Sequence, residues 1–277
     1  PIMDSMAPTG LDWIQNTSGQ VPLSRSLVST LQSFDETHLN ELLSLQKFAY
    51  QRYPVPSAKE RIDRLARLKR VLVKYQDQFA DAINQDYGNR SISETKIGEL
   101  LTCLEHIKYY SKNLSTWMKP SKRHVGIIHQ PAKAWVEYQP LGVIGIIAPW
   151  NYPLLLSVGP LICALAAGNH AMIKISSASA NFGRVLEQAI AEAFPQELIA
   201  VVNGGGVISD LFCHLAFDKI IFTGLTKFPS KRIHSLNSAH THDISKGVNE
   251  VMMVFLFFVI VFYIIFFANI VLYSKLT

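Results

Sequence analysis

The sequence predicts an α/β fold: N-terminal helices, then a Rossmann-like parallel sheet of the doubly wound type, then an apolar C-terminal helix. Three observations carry that prediction. Amphipathic stripes at helical spacing occupy the region before Pro120. Short, uninterrupted apolar runs then alternate with helical segments between Gly142 and Phe222, the pattern of βαβ units around a sheet buried on both faces. Beyond them, Val251 to Tyr273 is a run of 23 residues in which Asn269 is the one strongly polar side chain.

Taken in order, residues 1–36 are rich in Ser, Thr, Gly, Gln and Pro and read as an irregular lead-in. A first helix is expected from about Glu36 to Tyr50, stopped by Pro54 and Pro56. Ser57 with Glu60 three residues on is a capping box that opens the next helical unit. Its apolar stripe is Ile62, Leu65, Leu68, Leu72, Tyr75, Phe79 and Ile83, and Gly88 ends it. Ser91 with Glu94 repeats the capping signal ahead of a second stripe, Ile97, Leu101, Leu104, Ile107, Leu114 and Trp117, closed by Pro120. Core packing accounts for both stripes.

After Pro120 the residues become β-branched and aromatic, ending in AWVEYQP at Ala134 to Pro140. Strands are expected at Gly142–Ala148, His170–Ile175, Leu198–Val202 and Lys219–Phe222. Between them lie helices at Ser157–Ala167, ended by Gly168, at Ser179–Phe194, ended by Pro195, and at Gly206–His214. The expected organisation is therefore a lead-in over 1–36, a helical and nucleotide-binding domain over 37–227, a linker over 228–250 and an apolar helix over 251–273.

Composition excludes several classes of function. Lys and Arg total 26 against 21 acids, a net charge of +5 over 277 residues, and the charges are scattered, so no nucleic-acid platform is expected. Three cysteines at irregular spacing make neither a disulfide framework nor a zinc site and suit a reducing cytoplasm. His234, His240, His242 and Asp243 lie in HSLNSAHTHD, which reads as a polar linker because neither spacing nor scaffold supports a metal site. No basic segment followed by an apolar run opens the chain, so no secretory signal is expected. As a helix, 251–273 would reach about 34 Å, enough for a hydrocarbon core of about 30 Å; a fully buried core helix is the alternative. Lys227, Lys231, Arg232 and Lys246 precede that run and only Lys275 follows it, which would keep the rest of the chain cytoplasmic.

Ligands of a doubly wound sheet bind outside the carboxyl ends of its strands. Here those ends are PWNYP (Pro149 to Pro153), Lys174 with Ser176 and Ser177, NGGG (Asn203 to Gly206) and FTG (Phe222 to Gly224). A glycine cluster after a strand lets backbone N–H groups approach a phosphate, although a tight turn explains a lone NGGG as well. A lysine closing a buried strand is more informative, since a buried ammonium without a partner is costly. No GxGxxG or P-loop pattern is present.

The run VEYQPLGVIGIIAPWNYPLLLSVGPLICALAAGNHAMIKIS resembles the cofactor domain of the aldehyde dehydrogenase superfamily. PSAKERIDRLARL, DYGNRSISET and STWMKPSKR are similar to its coniferyl-aldehyde dehydrogenase branch. The resemblance runs from about Leu31 to about Thr226. It implies NAD(P)-dependent oxidation of an aldehyde to the acid. It makes Asn151 the oxyanion-hole amide, which would donate to the substrate oxygen as negative charge develops. It assigns Lys174 to the adenosine ribose hydroxyls, Gly204, Gly205 and Gly224 to turns around the adenosine and pyrophosphate, and Pro149 and Trp150 to the nicotinamide side. It also implies oligomers.

Departures from the family pattern matter. Ser177 stands where an acidic residue usually binds the ribose, which leaves NAD and NADP both open. After FTG, Leu225, Thr226, Lys227, Phe228 and Pro229 lack the serine and later glycine that approach the pyrophosphate. Neither a nucleophilic cysteine motif nor an ELGGK-like general-base motif follows Thr226. Cys163 falls in an apolar helix and Cys103 and Cys213 at packing positions, where thiols are usually inert. The expectation is a truncated family member without turnover of its own, with impaired cofactor binding, whose tail reads like a shifted frame. The alternative is a membrane-tethered, non-catalytic nucleotide-binding or interaction module. That alternative predicts carbonate-resistant membrane association of the full chain, lost when residues 251–277 are deleted; a fully soluble chain excludes it.

Overall fold

The computed structural model describes residues 25–224, with side chains from residue 35. The chain divides into two compact units, residues 1–221 and 222–277, and only 222–224 of the second are described. The expected linker at 228–250 and apolar helix at 251–273 therefore lie outside the described residues, as does the lead-in up to residue 24. Among the described residues no helix is long and apolar enough to cross a membrane.

Helices come first. They are α1 (Arg25–Arg52), α2 (Ala58–Lys74), α3 (Gln76–Tyr87), the single turn α4 (Ile92–Glu94) and, after a π-helical stretch at Thr95–Leu101, α5 (Thr102–Trp117). A small antiparallel pair, β1 (Ser121–Arg123) and β2 (Ala134–Val136), leads into β3 (Val143–Ile147), α6 (Pro153–Ala167), β4 (His170–Lys174), α7 (Ala180–Ala193), β5 (Ile199–Val202), α8 (Gly206–His214) and β6 (Lys219–Phe222). The capping box at Ser57 forms, its hydroxyl accepting from the Glu60 N–H while the Glu60 carboxylate accepts from the Ser57 N–H. Gly88 ends α3 in the left-handed conformation its position requires.

Three local expectations are corrected. Helix α1 begins at Arg25, inside the stretch read as irregular, because Leu27, Leu31 and Phe34 recur at helical spacing among serines and threonines that masked the pattern. Ser91 makes no side-chain cap, since Glu94 instead lies 3.2 Å from the Arg90 guanidinium. The second stripe is also out of phase at its start. The wider π-helical turns at 95–101 rotate the buried face, so Leu100, Cys103, Ile107 and Leu114 pack inward while Ile97 and Leu101 are exposed.

The four-stranded sheet has the order β5-β4-β3-β6, with β3, β4 and β5 parallel. Chain order runs outward from β3 through β4 to β5, then returns to the other side of β3, which makes the β3/β6 boundary a topological switch point. Alternate residues serve opposite faces. Ile144, Ile146, Ala171, Ile173 and Ile199 join the core with α2, α3, α5, α6 and α7, while Val143, Met172, Ala200 and Val202 pack with Leu39, Leu42, Leu43 and Phe212 of α1 and α8. Burial of both faces is why the strands read as continuous apolar runs.

A buried arginine locks the helices onto the sheet layer. Arg61 Nε donates to Pro56 O at 2.9 Å, and Nη1 donates to Ala167 O at 2.8 Å and Ala166 O at 3.3 Å. These carbonyls end α6, where a cation meets the negative end of the helix. Gly168 follows at φ +90°, and a Cβ there would sit 2.8 Å from the guanidinium. Arg61→Met should lower unfolding free energy by about 2–3 kcal/mol in urea titrations, the cost of stranding buried carbonyls. An effect under about 0.5 kcal/mol, typical of a surface site, would refute this role.

Candidate functional site

The carboxyl ends of the parallel strands carry most of the residues singled out from the sequence. Lys174 closes β4 and is 1% exposed. Its ammonium donates to Ile175 O at 2.6 Å and to Gly204 O at 2.9 Å, tying the end of β4 to the loop after β5. An ammonium has three donors, and the third has no partner among the described residues. Burial pushes the Lys174 pKa down to about 8, so the charge is held at a cost that an added hydroxyl acceptor would offset. Gly204 has φ +135°, and a Cβ would lie 2.7 Å from Ile208, so this position demands glycine. Gly205 adopts an extended conformation as the N-cap of α8 without a side-chain cap. Around Gly206 a Cβ would meet nothing within 4 Å.

Two of the helix N-termini beside the sheet are closed by carboxylates from the helical layer. Asp86 on α3 accepts from the Asn181 and Phe182 N–H groups of α7 at 3.0 and 2.9 Å. Glu99, in the π-helical stretch and fully buried, accepts from the Leu154 and Leu155 N–H groups of α6 at 2.8 and 3.0 Å. A helix N-terminus is an anion site, and these two are already filled from within the chain. Among the described residues, the N-terminus of α8, with Gly205 and Gly206 and no side-chain cap, carries no such plug. The donor set around Lys174, Gly204 and Gly206 thus fits the hydroxyl-rich, anionic end of a dinucleotide.

Asn151 precedes α6 in a loop held by its carbonyls. Arg90 Nη1 donates to Asn151 O at 2.7 Å, and the Tyr87 hydroxyl reaches Trp150 O at 2.7 Å and also Asn151 O. Ser179 Oγ lies 3.4 Å from Trp150 O. Pro153 takes the first helical position, where a missing N–H costs nothing. The Asn151 side chain is exposed and makes no hydrogen bond to another described residue. Tyr87, Arg90, Glu94, Trp150, Asn151 and Tyr152 line an open cleft of about 400 Å³. The Arg90 guanidinium stands 4.5 Å from the Tyr152 ring centroid and 5.0 Å from that of Tyr87. Behind them Arg90 Nη2 is 3.2 Å from Glu99 Oε1, an ion pair that lacks hydrogen-bond alignment.

The cysteines are built into packing. Cys103 is buried between helices and burial pushes its thiol far up. Cys163 Sγ lies 3.1 Å from the Tyr110 hydroxyl, and burial raises its pKa as well. Cys213 is buried on α8. Burial of this kind keeps the Cys103 and Cys163 thiols protonated and poorly nucleophilic. Among the described residues no group of His, Cys, Asp and Glu could hold a metal ion.

Lys174 and Gly204 are thus brought into direct contact, Gly205 adjoins them, and Pro149, Trp150 and Asn151 share one loop. Gly224 follows β6, and a Cβ there would sit 2.6 Å from the Phe222 ring. Sequence reasoning missed Asp86, Tyr87, Arg90 and Glu99. The first three sit in DYGNR, where the resemblance to the family is the one signal the sequence carries. Glu99 had one available signal, a lone carboxylate between Gly98 and the apolar pair Leu100 and Leu101.

Known proteins agree with this architecture. The model of the aldehyde dehydrogenase family matches residues 13–255, more than the segment whose motifs carried the resemblance. A probable coniferyl aldehyde dehydrogenase of Pseudomonas aeruginosa is 45% identical over 188 residues, covering 68% of this chain and 40% of its own. The coniferyl aldehyde dehydrogenase of a Pseudomonas species is 35% identical, with shares of 68% and 39%. The chain therefore spans about two fifths of the length of these curated relatives. The substrate-bound structure of Staphylococcus aureus AldH superposes with a TM-score of 0.68 at 29% identity, over 71% of this chain and 43% of that one. An indole-3-acetaldehyde dehydrogenase complexed with NAD+, at 20% identity and a TM-score of 0.63 over 72% and 40% of the two chains, shares the fold.

Burial raises the Glu99 pKa from 4.5 to about 7, against the opposing pull of the two α6 amides and Arg90. A carboxyl raised on folding contributes stability that is complete below about pH 4.5 and is lost as pH rises through 7. Glu99→Gln removes that dependence. Relative to the parent chain, the variant should gain on the order of 3 kcal/mol between pH 5 and pH 8 in urea unfolding. Parallel pH profiles for the two proteins would contradict the shifted carboxyl.

Proposed function

The chain belongs to the aldehyde dehydrogenase family, and on that premise we propose that its described residues form the cofactor-holding and oxyanion-stabilising part of an oxidoreductase that converts an aldehyde to its acid. The observation that carries this reading is Lys174, a buried ammonium tied to Gly204 with one donor still to place. Lys174 and the turn at Gly204 and Gly205 would hold the ribose and phosphate end of NAD or NADP; a role for Gly224 rests on the family resemblance alone. When bound, the nicotinamide supplies a hydride acceptor. Pro149 and Trp150 would line its side of the site. Ser177 is exposed and carries no carboxylate, so nothing there repels the extra phosphate of NADP.

Asn151 would act on the substrate. Its amide donates a hydrogen bond to the aldehyde oxygen and strengthens it as charge accumulates there, which lowers the barrier more than it tightens ground-state binding. Coniferyl or another aromatic aldehyde suits the aromatic cleft of Tyr87, Trp150 and Tyr152, a reading that the names of the relatives also support. Cys103 and Cys163, their thiols raised by burial, and Cys213, packed on α8, are not the nucleophile on this reading. On this reading the described residues hold cofactor, with the weakened affinity expected of the altered turn after Gly224, and do not by themselves turn over aldehyde.

Two measurements test this. NADH or NADPH fluorescence should report binding that weakens at least about tenfold in Lys174→Met, the worth of one charge-assisted hydrogen bond of about 1.5 kcal/mol or more. The same chain, given coniferyl aldehyde and either oxidised cofactor, should show no cofactor reduction above the blank. Equal affinity in both proteins would refute the role of Lys174. Steady turnover would refute the assignment of the three cysteines, and its sharp loss in Asn151→Ala would then still identify the oxyanion donor.

A further inference from the structure

Asn151 can act as an oxyanion donor only if its amide is aimed before the substrate arrives, because preorganisation is the source of the effect. Loops of exposed residues do not supply that by themselves. Here the loop is gripped from outside. Its two carbonyls, those of Trp150 and Asn151, take hydrogen bonds from the Tyr87 hydroxyl and from Arg90 Nη1. Both donors come from the helical layer, more than 60 positions earlier in the chain.

The grip has a fixed base. The Arg90 side chain is 5% exposed, pressed between the rings of Tyr87 and Tyr152. Its own carbonyl accepts from Asn84 Nδ2 at 2.6 Å. Its Nη2 lies 3.2 Å from both the Glu94 carboxylate and the buried Glu99 carboxylate. Glu99 in turn accepts from the first amides of α6, the helix that the Asn151 loop enters. One carboxylate thereby fixes both the start of the helix and the arginine that holds the loop before it. A planar fork of donors between two rings has few ways to relax.

We propose that Arg90 and Tyr87, anchored through Glu99, are positioning residues for Asn151: they clamp the backbone carbonyls of its loop and so set the direction of its side-chain amide. This rests on the reading of Asn151 as the oxyanion donor, yet it concerns the geometry of the chain alone. The roles divide plainly. Asn151 touches substrate, Arg90 and Tyr87 act through Asn151, and Glu99 acts through Arg90.

The test reads the Asn151 amide directly. In the full chain labelled with 15N-asparagine, the Asn151 side-chain pair is assigned by its disappearance in Asn151→Asp. In Arg90→Met and in Tyr87→Phe that pair should shift or split, while the pairs of Asn169, whose Oδ1 accepts from the Leu141 N–H, and of Asn203, whose Nδ2 donates to Glu187, stay in place. Arg90→Lys, keeping one donor but not the fork, should restore the pair part of the way. An Asn151 pair that is unmoved in either Arg90→Met or Tyr87→Phe overturns the proposal. If Arg90→Met disturbs every asparagine through loss of fold, Tyr87→Phe, which removes one hydroxyl, decides the matter by the same criterion. NADH binding is measured on the same samples. Its absence in the parent chain would count against the cofactor reading while leaving the clamp to be judged by the asparagine pair.

Discussion

A carboxylate buried at the mouth of a helix organises this protein. Glu99 lies at zero exposure, beneath the start of α6, with two backbone amides on one oxygen and the Arg90 guanidinium beside the other. Stripping a carboxylate of water is expensive, and its raised pKa records that expense. The amides of a helix N-terminus and a nearby cation are the groups able to offset it. The geometry follows. The π-helical stretch of the helical layer must face the first turn of α6, Arg90 must stand beside it, and the loop entering α6 must run past Arg90.

Asp86 repeats the arrangement at α7, so the helical layer is joined to the sheet layer by carboxylates at two helix starts and by Arg61 at one helix end. Apolar burial supplies most of the stabilisation between these layers, but it is non-directional. The polar joints choose the register. They also divide the helix N-termini by task, with α6 and α7 filled from within and α8 left with bare glycine amides.

The same economy explains Lys174. A buried ammonium with two carbonyl partners weakens the resting fold, and its lowered pKa gives the direction of that cost. Groups whose ionisation is disfavoured by their surroundings gather where ligands bind. Membership of the aldehyde dehydrogenase family gives this residue its proposed partner, and the uncapped turn at Gly204 to Gly206 gives it room.

Much was legible in the sequence because it depends on local rules. The capping box at Ser57, the glycine ends of α3 and α6 and the bounds of α8 and β6 follow from propensity and sterics within a few residues. Continuous apolar strands announced a sheet buried on both faces, and a lysine closing one of them marked a candidate site. Tertiary structure alone decided the rest. Ser91 and Glu94 look like a capping box, but Arg90 draws Glu94 away. Ile97 and Leu101 look buried, but the π-helical turns, which no periodicity of 3.6 anticipates, rotate them outward. The Trp150 and Asn151 carbonyls that Tyr87 and Arg90 hold, and the α6 amides that Glu99 holds, lie more than 50 residues along the chain. Spacing rules reach one or two helical turns, whereas the desolvation of a charge is settled only by what the complete fold brings to it.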